Sequence, residues 1–509
     1  MPGTGKTTTI AHIIRALLAE NKTILLTSFT HTAVDNILLK LRDIAPRNSI
    51  LRLGVPAKIN QEVQNFCLLA ATPRKSIDEI EQAYMGCRIV ATTCMGTNHA
   101  LFHRRAFDVC IVDEASQITL PTALGPLLLA RKFVLVGDHY QLPPLVQNRA
   151  ALEGGLDVSL FRQLSEEHPE AVATLGKQYR MCEDIMSLSN TLIYDGQLRC
   201  GSEEVARRTL ADFHSDASTV CGSYCWLADV LAPTRKVVYA NTDPIGAAAF
   251  ESLTSGKNIT NAVEATLSAH LVLGLLRLGV PGRSIGVITL YRSQLALIRN
   301  TFKLAGIGPE VEIDSADRFQ GRDKEGVILS MVRSNEQGVV GELLRDWRRV
   351  NVALTRAKSK LVVLGSRKTL VHNELLARFL GLVDERGWMV DLPRTAGEGH
   401  GFGVGSQATG PVTVSESTPS PTKRSGTRRQ VNGSPCKAVP GDTPTRILQP
   451  SASAGNRSPA KGGDTTRRGL KVPGKVVMGH STIMRKGKAG ALKEQLAMEI
   501  FEDLTADDF

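Results

Sequence analysis

Aromatic residues are scarce, 5% of 509 positions with 3 tryptophans, so any core must rest on aliphatic side chains. No apolar run approaches the ~18 residues of a membrane-spanning helix, so no membrane partner is expected. The nine cysteines are scattered and odd in number. Only Cys221 and Cys225 lie close together. No second pair or histidine cluster completes a zinc or iron–sulfur set, and reduced, mostly buried thiols are the expectation. No 20–50-residue repeat is present, which excludes a solenoid. Acidic residues nearly vanish from Arg394 to Lys488, 4 against 16 Lys/Arg, then outnumber lysine 6 to 1 from Ala489 to Phe509. The net charge of +11 and pI of 9.2 therefore describe a basic tail more than a basic fold.

What is present is an ordinary apolar fraction, 42%, in a chain too long for one core. "KTILLTSF", "CRIVATT", "FDVCIVDE" and "RKFVLVGD" are short apolar runs that end on polar residues. Helical stretches such as "TTTIAHIIRALLAE" and "HTAVDNILLKLRDI" separate them. After Gly155 the pattern restarts with "SIGVITLY", "GVILSMVR" and "KLVVLGS". Runs this apolar predict parallel sheets covered on both faces. The expected division is α/β at 1–155 and α/β at 156–392. A disordered basic tail at 393–488 and an acidic amphipathic helix at 489–509 follow.

The opening "MPGTGKTTTI" fits the tail of G-x-x-x-x-G-K-[ST], a loop whose backbone amides cradle phosphate at a helix N-terminus. "CIVDEASQ" places Asp113 and Glu114 at a strand end, one carboxylate for Mg²⁺ and one to activate water. "VLVGDHYQLPPLV" ends the next strand near Gln141, an uncharged donor able to sense a γ-phosphate. "QYRM" and "NVALTRAK" supply Arg180 and Arg356, each of which alone would pass for a surface arginine.

In this order, with "LLTSFTHTAVDNILLKL", "IVATTCMGTNH" and "SADRFQGRDKEGVILSMVRSN", these segments resemble superfamily 1 helicases of the up-frameshift-like branch. The likeness is closest to the helicase part of eukaryotic replication helicase/nucleases. It covers nearly all of Met1 to Leu392 and is weakest from Ser202 to Lys257.

The resemblance implies two RecA-like P-loop domains and ATP with Mg²⁺ as cofactors. Gly3, Thr4, Gly5, Lys6, Thr7 and Thr8 would hold the phosphates, with Thr7 and Asp113 on Mg²⁺. Glu114 would activate water and Gln141 would couple phosphate to strand movement. Arg180 and Arg356 would act as fingers on the γ-phosphate. Tyr179, Gln320 and Gly321 would complete the nucleotide contacts. Thr30, His31, Thr93 and Ser315, at strand ends, would touch the sugar–phosphate track, although ordinary loop polarity explains each one singly. The implied partners are single-stranded or flap DNA, with a single-strand-binding protein or sliding clamp as weaker candidates. The implied compartment is the nucleus, with the mitochondrion as a second.

The first glycine of the loop motif falls one residue before Met1, and no apolar strand feeds the loop. The expectation is a chain that starts at an internal methionine, lacks the first strand of its first sheet, and has little activity as written. The family's upstream nuclease, with its cysteine-ligated cluster, has no counterpart here. Two other readings stay open: an up-frameshift-type RNA helicase, and a non-catalytic nucleic-acid-binding fragment.

Overall fold

The computed structural model describes residues 1–67, 76–210, 225–254 and 258–397. The basic tail from residue 398 onward, the acidic terminal helix and Cys221 lie outside the described residues, whereas the first tail residues, Arg394–Gly397, form one helical turn with Ala396 buried instead of the expected disorder. The first sheet has five parallel strands: β1 (Ile24–Ser28), β2 (Ile50–Arg52), β3 (Ile89–Thr93), β4 (Phe107–Asp113) and β5 (Ala130–Leu135), in the order β2-β3-β1-β4-β5. Helix α1 (Lys6–Ala19) precedes β1, and α2 (His31–Leu41) follows it.

The strands β6 (Lys177–Gln178) and β7 (Arg199–Cys200) form a small pair. The second sheet is built from β8 (Val237–Asn241), β11 (Ile285–Thr289), β12 (Glu312–Ser315), β13 (Lys324–Ser330), β14 (Ala357–Gly365) and β15 (Met389–Asp391). Its order is β12-β11-β13-β14-β8-β15, again all parallel. A hairpin of β9 (Ser252–Thr254) and β10 (Asn258–Thr260) lies outside both sheets.

Successive strand residues face opposite sides of a sheet, so a sheet covered on both faces needs two apolar layers. Both sheets have them. Ile24, Leu26, Ile89 and Ala91 join one cluster of the first sheet, while Leu25, Val90, Cys110 and Val112 join the other. In the second sheet Tyr239, Leu329 and Val363 face one layer and Val238, Ile328 and Val362 the opposite one. Aliphatic residues dominate, as the shortage of aromatics requires.

One strand departs from the expected burial. In β5 the residues Arg131, Lys132 and Phe133 are exposed, Phe133 by 50%. The reason is position: among the described residues β5 pairs only with β4 and forms the edge of the sheet. The described cysteines are all free thiols, most of them buried.

Candidate nucleotide site

Gly3 (φ 69°) and Gly5 (φ 74°) both take the left-handed backbone that glycine adopts at little cost, and they turn the chain into α1. Lys6 is the first residue of α1, with Thr7 and Thr8 behind it. The Lys6 Nζ donates to the Met1 carbonyl at 2.9 Å, and the Thr4 hydroxyl donates to the same oxygen at 3.0 Å. The terminal amine of Met1 lies 3.5 Å from an Asp138 carboxylate oxygen. Burial, then the neighbouring Lys6 charge, pulls that amine down to about 6.

At the end of β4, Asp113 is buried and accepts the Glu114 amide at 2.9 Å. Burial first, and the Glu114 charge second, push its carboxyl up to about 7. Glu114 takes a left-handed backbone (φ 52°), uncommon for a residue with a side chain, which turns the chain sharply away from the strand. Its carboxylate accepts the Gln117 side-chain amide at 3.0 Å.

Gln141 is buried and donates to Asp138 Oδ2 at 2.7 Å. Asp138 is a residue that the motif reading passed over, and it is the hub of this corner. It also accepts the Tyr194 hydroxyl at 2.8 Å. Burial alone would raise its pKa, but the terminal amine, Lys6, Gln141 and Tyr194 together hold it below the usual range. Asn351 then donates to Tyr194 Oη at 3.0 Å and to the Tyr140 carbonyl at 2.8 Å. A hydrogen-bonded chain thus runs from the end of β5 to the Glu183–Leu192 and Trp347–Leu354 helices.

The two arginines come to the same corner, Arg180 against Gly3 and Arg356 within charge range of Arg180 and Glu114, and neither is a surface residue. Arg180 Nε donates to Asp323 at 3.0 Å and its NH1 to the Thr355 carbonyl at 3.3 Å. Arg356 is 1% exposed. It donates to the Val352 carbonyl at 2.8 Å, the Thr355 hydroxyl at 2.9 Å and the Arg322 carbonyl at 3.4 Å. No carboxylate accepts from Arg356 among the described residues. Burial, followed by the Arg180 charge, lowers its pKa to about 9. A buried guanidinium held by two backbone carbonyls and one hydroxyl keeps an uncompensated positive charge, which suits it to receive an anion.

The loop itself meets this second group of residues directly: the Tyr179 amide donates to the Gly3 carbonyl at 2.8 Å. The Tyr179 ring lies over Gly201, where a Cβ would come within 2.2 Å of it. Gln320 and Gly321 (φ 79°) sit just before Arg322. Both polar atoms of the buried Gln320 amide lack a partner among the described residues, and so does the Ser28 hydroxyl, in register with Asp113. Orphaned groups of this kind fit a bound nucleotide and its cation.

The strand-end candidates are dispersed. Thr30 caps α2, its hydroxyl accepting the Ala33 amide at 3.2 Å, and His31 follows as the first residue of α2. Thr93 is buried at the end of β3, and Ser315 ends β12 half-buried. None of the four lies in the cleft chain of hydrogen bonds described above.

Two family models, each described as an AAA domain, match the chain, one over residues 156–368 and the other over 1–85 and 71–149. The DNA replication ATP-dependent helicase/nuclease dna2 of Schizosaccharomyces pombe is 48% identical over 399 residues, covering 77% of this chain and 28% of that protein. The protein of the same description from Saccharomyces cerevisiae is 48% identical over 403 residues, covering 78% and 26%. The human one is 45% identical over 407 residues, covering 77% and 37%. The chain therefore spans well under half the length of these relatives. Among solved structures, the arterivirus nonstructural protein 10 helicase with DNA aligns at 17% identity and a TM-score of 0.38, over 74% of this chain and 61% of that one. Identity near one half over about four-fifths of the chain, with both matched models falling on the segments that build the cleft, settles its kinship. The chain belongs to the superfamily 1 helicases of the up-frameshift-like branch, a family of ATP-hydrolysing enzymes.

Proposed function

We propose that this chain is the motor part of an ATP-dependent DNA helicase of replication and repair, moving 5′ to 3′ on single-stranded and flap DNA in the nucleus. The observation that supports it best is the convergence of Lys6, Asp113, Glu114 and Gln141 with Arg180 and Arg356 in one corner of the fold. The relatives are DNA replication helicase/nucleases, which favours DNA over RNA as the track.

In this reading Lys6 and the Gly3–Thr8 backbone bind the β- and γ-phosphates. Thr7 and Asp113 would hold Mg²⁺, which when bound would neutralise charge on the phosphates. Glu114 orients and deprotonates the attacking water. Arg356 and Arg180 face the charge that grows on the γ-phosphoryl group, and Gln141 reports its loss through Asp138 and Tyr194 to the second group of helices. Tyr179, Gln320 and Gly321 bound the rest of the nucleotide. Thr30, His31, Thr93 and Ser315 touch the DNA backbone, which positions a strand without reading its sequence.

The test, on the chain extended upstream by a feeding strand and the first glycine of the loop motif, is ATP hydrolysis with matched DNA and RNA strands, then unwinding of duplexes carrying a 5′ or a 3′ overhang. Stimulation by DNA and unwinding from the 5′ overhang are expected; stimulation by RNA alone would sink the DNA reading. Glu114→Gln should bind ATP yet turn over very slowly, and equal turnover would remove Glu114 from its role.

A further inference from the structure

His31 is held by a buried ion pair that no phosphate-binding motif requires. Arg52 of β2 and Asp35 of α2 are 1% and 2% exposed. Arg52 Nε donates to Asp35 Oδ1 at 2.9 Å and NH1 donates to the Leu53 carbonyl at 2.7 Å. The remaining nitrogen, NH2, lies 3.1 Å from His31 Nδ1. The other Asp35 oxygen accepts the Asn60 amide at 2.9 Å, so the carboxylate is fixed as well.

A guanidinium has donors only and keeps its protons. His31 Nδ1 must then be the acceptor, the ring is neutral, and its one proton sits on Nε2. The surroundings agree. Burial, then the Arg52 charge, and more weakly Lys58, keep the imidazole below its ordinary pKa, against a smaller opposing pull from Asp35. The position adds to this, because His31 opens α2, where the helix macrodipole disfavours a cation. Cys67, which also feels Arg52 and Asp35, has its thiol pushed up by burial and adds no charge.

We propose that Arg52, clamped by Asp35, is a positioning residue that locks His31 in its neutral Nε2–H form, so that His31 offers DNA a fixed hydrogen-bond donor instead of a titrating charge. This rests on the reading of the β1–α2 loop as a strand contact. It separates His31 from the lysines and arginines that bind phosphate by charge. A neutral donor releases no counterion, so its contribution is insensitive to salt and, wherever the ring stays neutral, to pH.

The experiment uses the full chain with ¹⁵N-labelled histidine, the His31 signals being assigned by their loss in His31→Gln. The expected ring pattern is a bare Nδ1 and a protonated Nε2 at neutral pH, with an apparent pKa below the ordinary value. Binding of a fluorescent single-stranded oligonucleotide is then titrated against salt at two pH values. His31→Ala should weaken binding about 3- to 10-fold, the loss of one neutral hydrogen bond, with an unchanged slope of log affinity on log salt. Arg52→Lys, which cannot hold both partners, should raise the His31 pKa and make affinity pH-dependent; if that variant does not fold, the wild-type ring spectrum still decides the tautomer. A proton on Nδ1, an ordinary pKa, or a salt slope reduced by about one in His31→Ala overturns the proposal. Unaltered affinity of His31→Ala overturns it while leaving strand binding intact. Absence of strand binding by the wild-type chain is a different result and sinks the underlying reading with it.

Discussion

The Tyr179 amide donates to the Gly3 carbonyl at 2.8 Å, so the phosphate loop is tied by its own backbone to the segment that carries Arg180. The approach is close: a Cβ on Gly3 would stand 2.7 Å from the Arg180 Cβ. The loop and the Arg180 segment cannot move independently here.

Gly3→Ala is accordingly expected to force the loop and the Arg180 segment apart. The left-handed backbone at Gly3 adds strain of about 1 kcal/mol to the steric clash. ATP turnover should fall at least 10-fold and the thermal midpoint should drop; wild-type turnover with a normal midpoint would show that the contact is dispensable.

Arg356→Ala should spare ATP affinity and cost turnover by ~10³-fold or more, as expected of a group that acts in the transition state. Lys6→Ala should weaken nucleotide binding instead. Binding of a nucleotide analogue, measured beside steady-state turnover, separates the two patterns, and a large loss of affinity in Arg356→Ala would count against its role as a finger.

Stability should depend on pH in an unusual direction. Asp113 and Glu264 are both pushed up to about 7, chiefly by burial, from ordinary values of 3.8 and 4.5. Between about pH 4 and pH 7 the folded chain keeps protons that the unfolded chain has released, so these groups cost stability as pH rises. Asp113→Asn should remove its part, raising stability at pH 8 by on the order of 1 kcal/mol or more while abolishing turnover. Urea unfolding at pH 5 and pH 8 measures this, and an unaltered difference between the two pH values in Asp113→Asn would refute it.

The Asp138–Tyr194–Asn351 chain predicts coupling across the cleft. Tyr194→Phe removes a donor from Asp138 and an acceptor from Asn351 at once. Basal hydrolysis should change less than its stimulation by DNA. A double-mutant cycle of Asp138→Asn and Asn351→Ala should return a coupling of about 0.5–3 kcal/mol, and simple additivity would break the proposed link.

The strands, and the places of the glycine loop and the acid pair on them, were legible because each is coded locally. Apolar runs such as "CRIVATT" and "KLVVLGS" became β3 and β14, and the glycines before Lys6 announced a turn into a helix. The acid pair needed only the end of one strand. Asp138, Tyr194 and Asn351 were not legible, since Tyr194 lies 56 positions from Asp138 and 157 from Asn351. Arg52 was invisible for the same reason: a charged residue in an apolar strand declares its burial only when Asp35 and His31 are seen around it. The exposure of β5 escaped as well, because "KFVL" reads like its buried neighbours and nothing in it encodes a place at the edge.

That edge has a consequence for handling the protein. An unpaired parallel strand presents a row of free amides and carbonyls, and in β5 they run beside the half-exposed ring of Phe133. Arg131 and Lys132 are the only charges on the strand, both positive, so like copies repel at low salt and lose that protection as salt screens them. Solubility of this chain should therefore fall with ionic strength. The same salt that would weaken a charge-driven hold on any polyanion would invite one copy to zip onto the next.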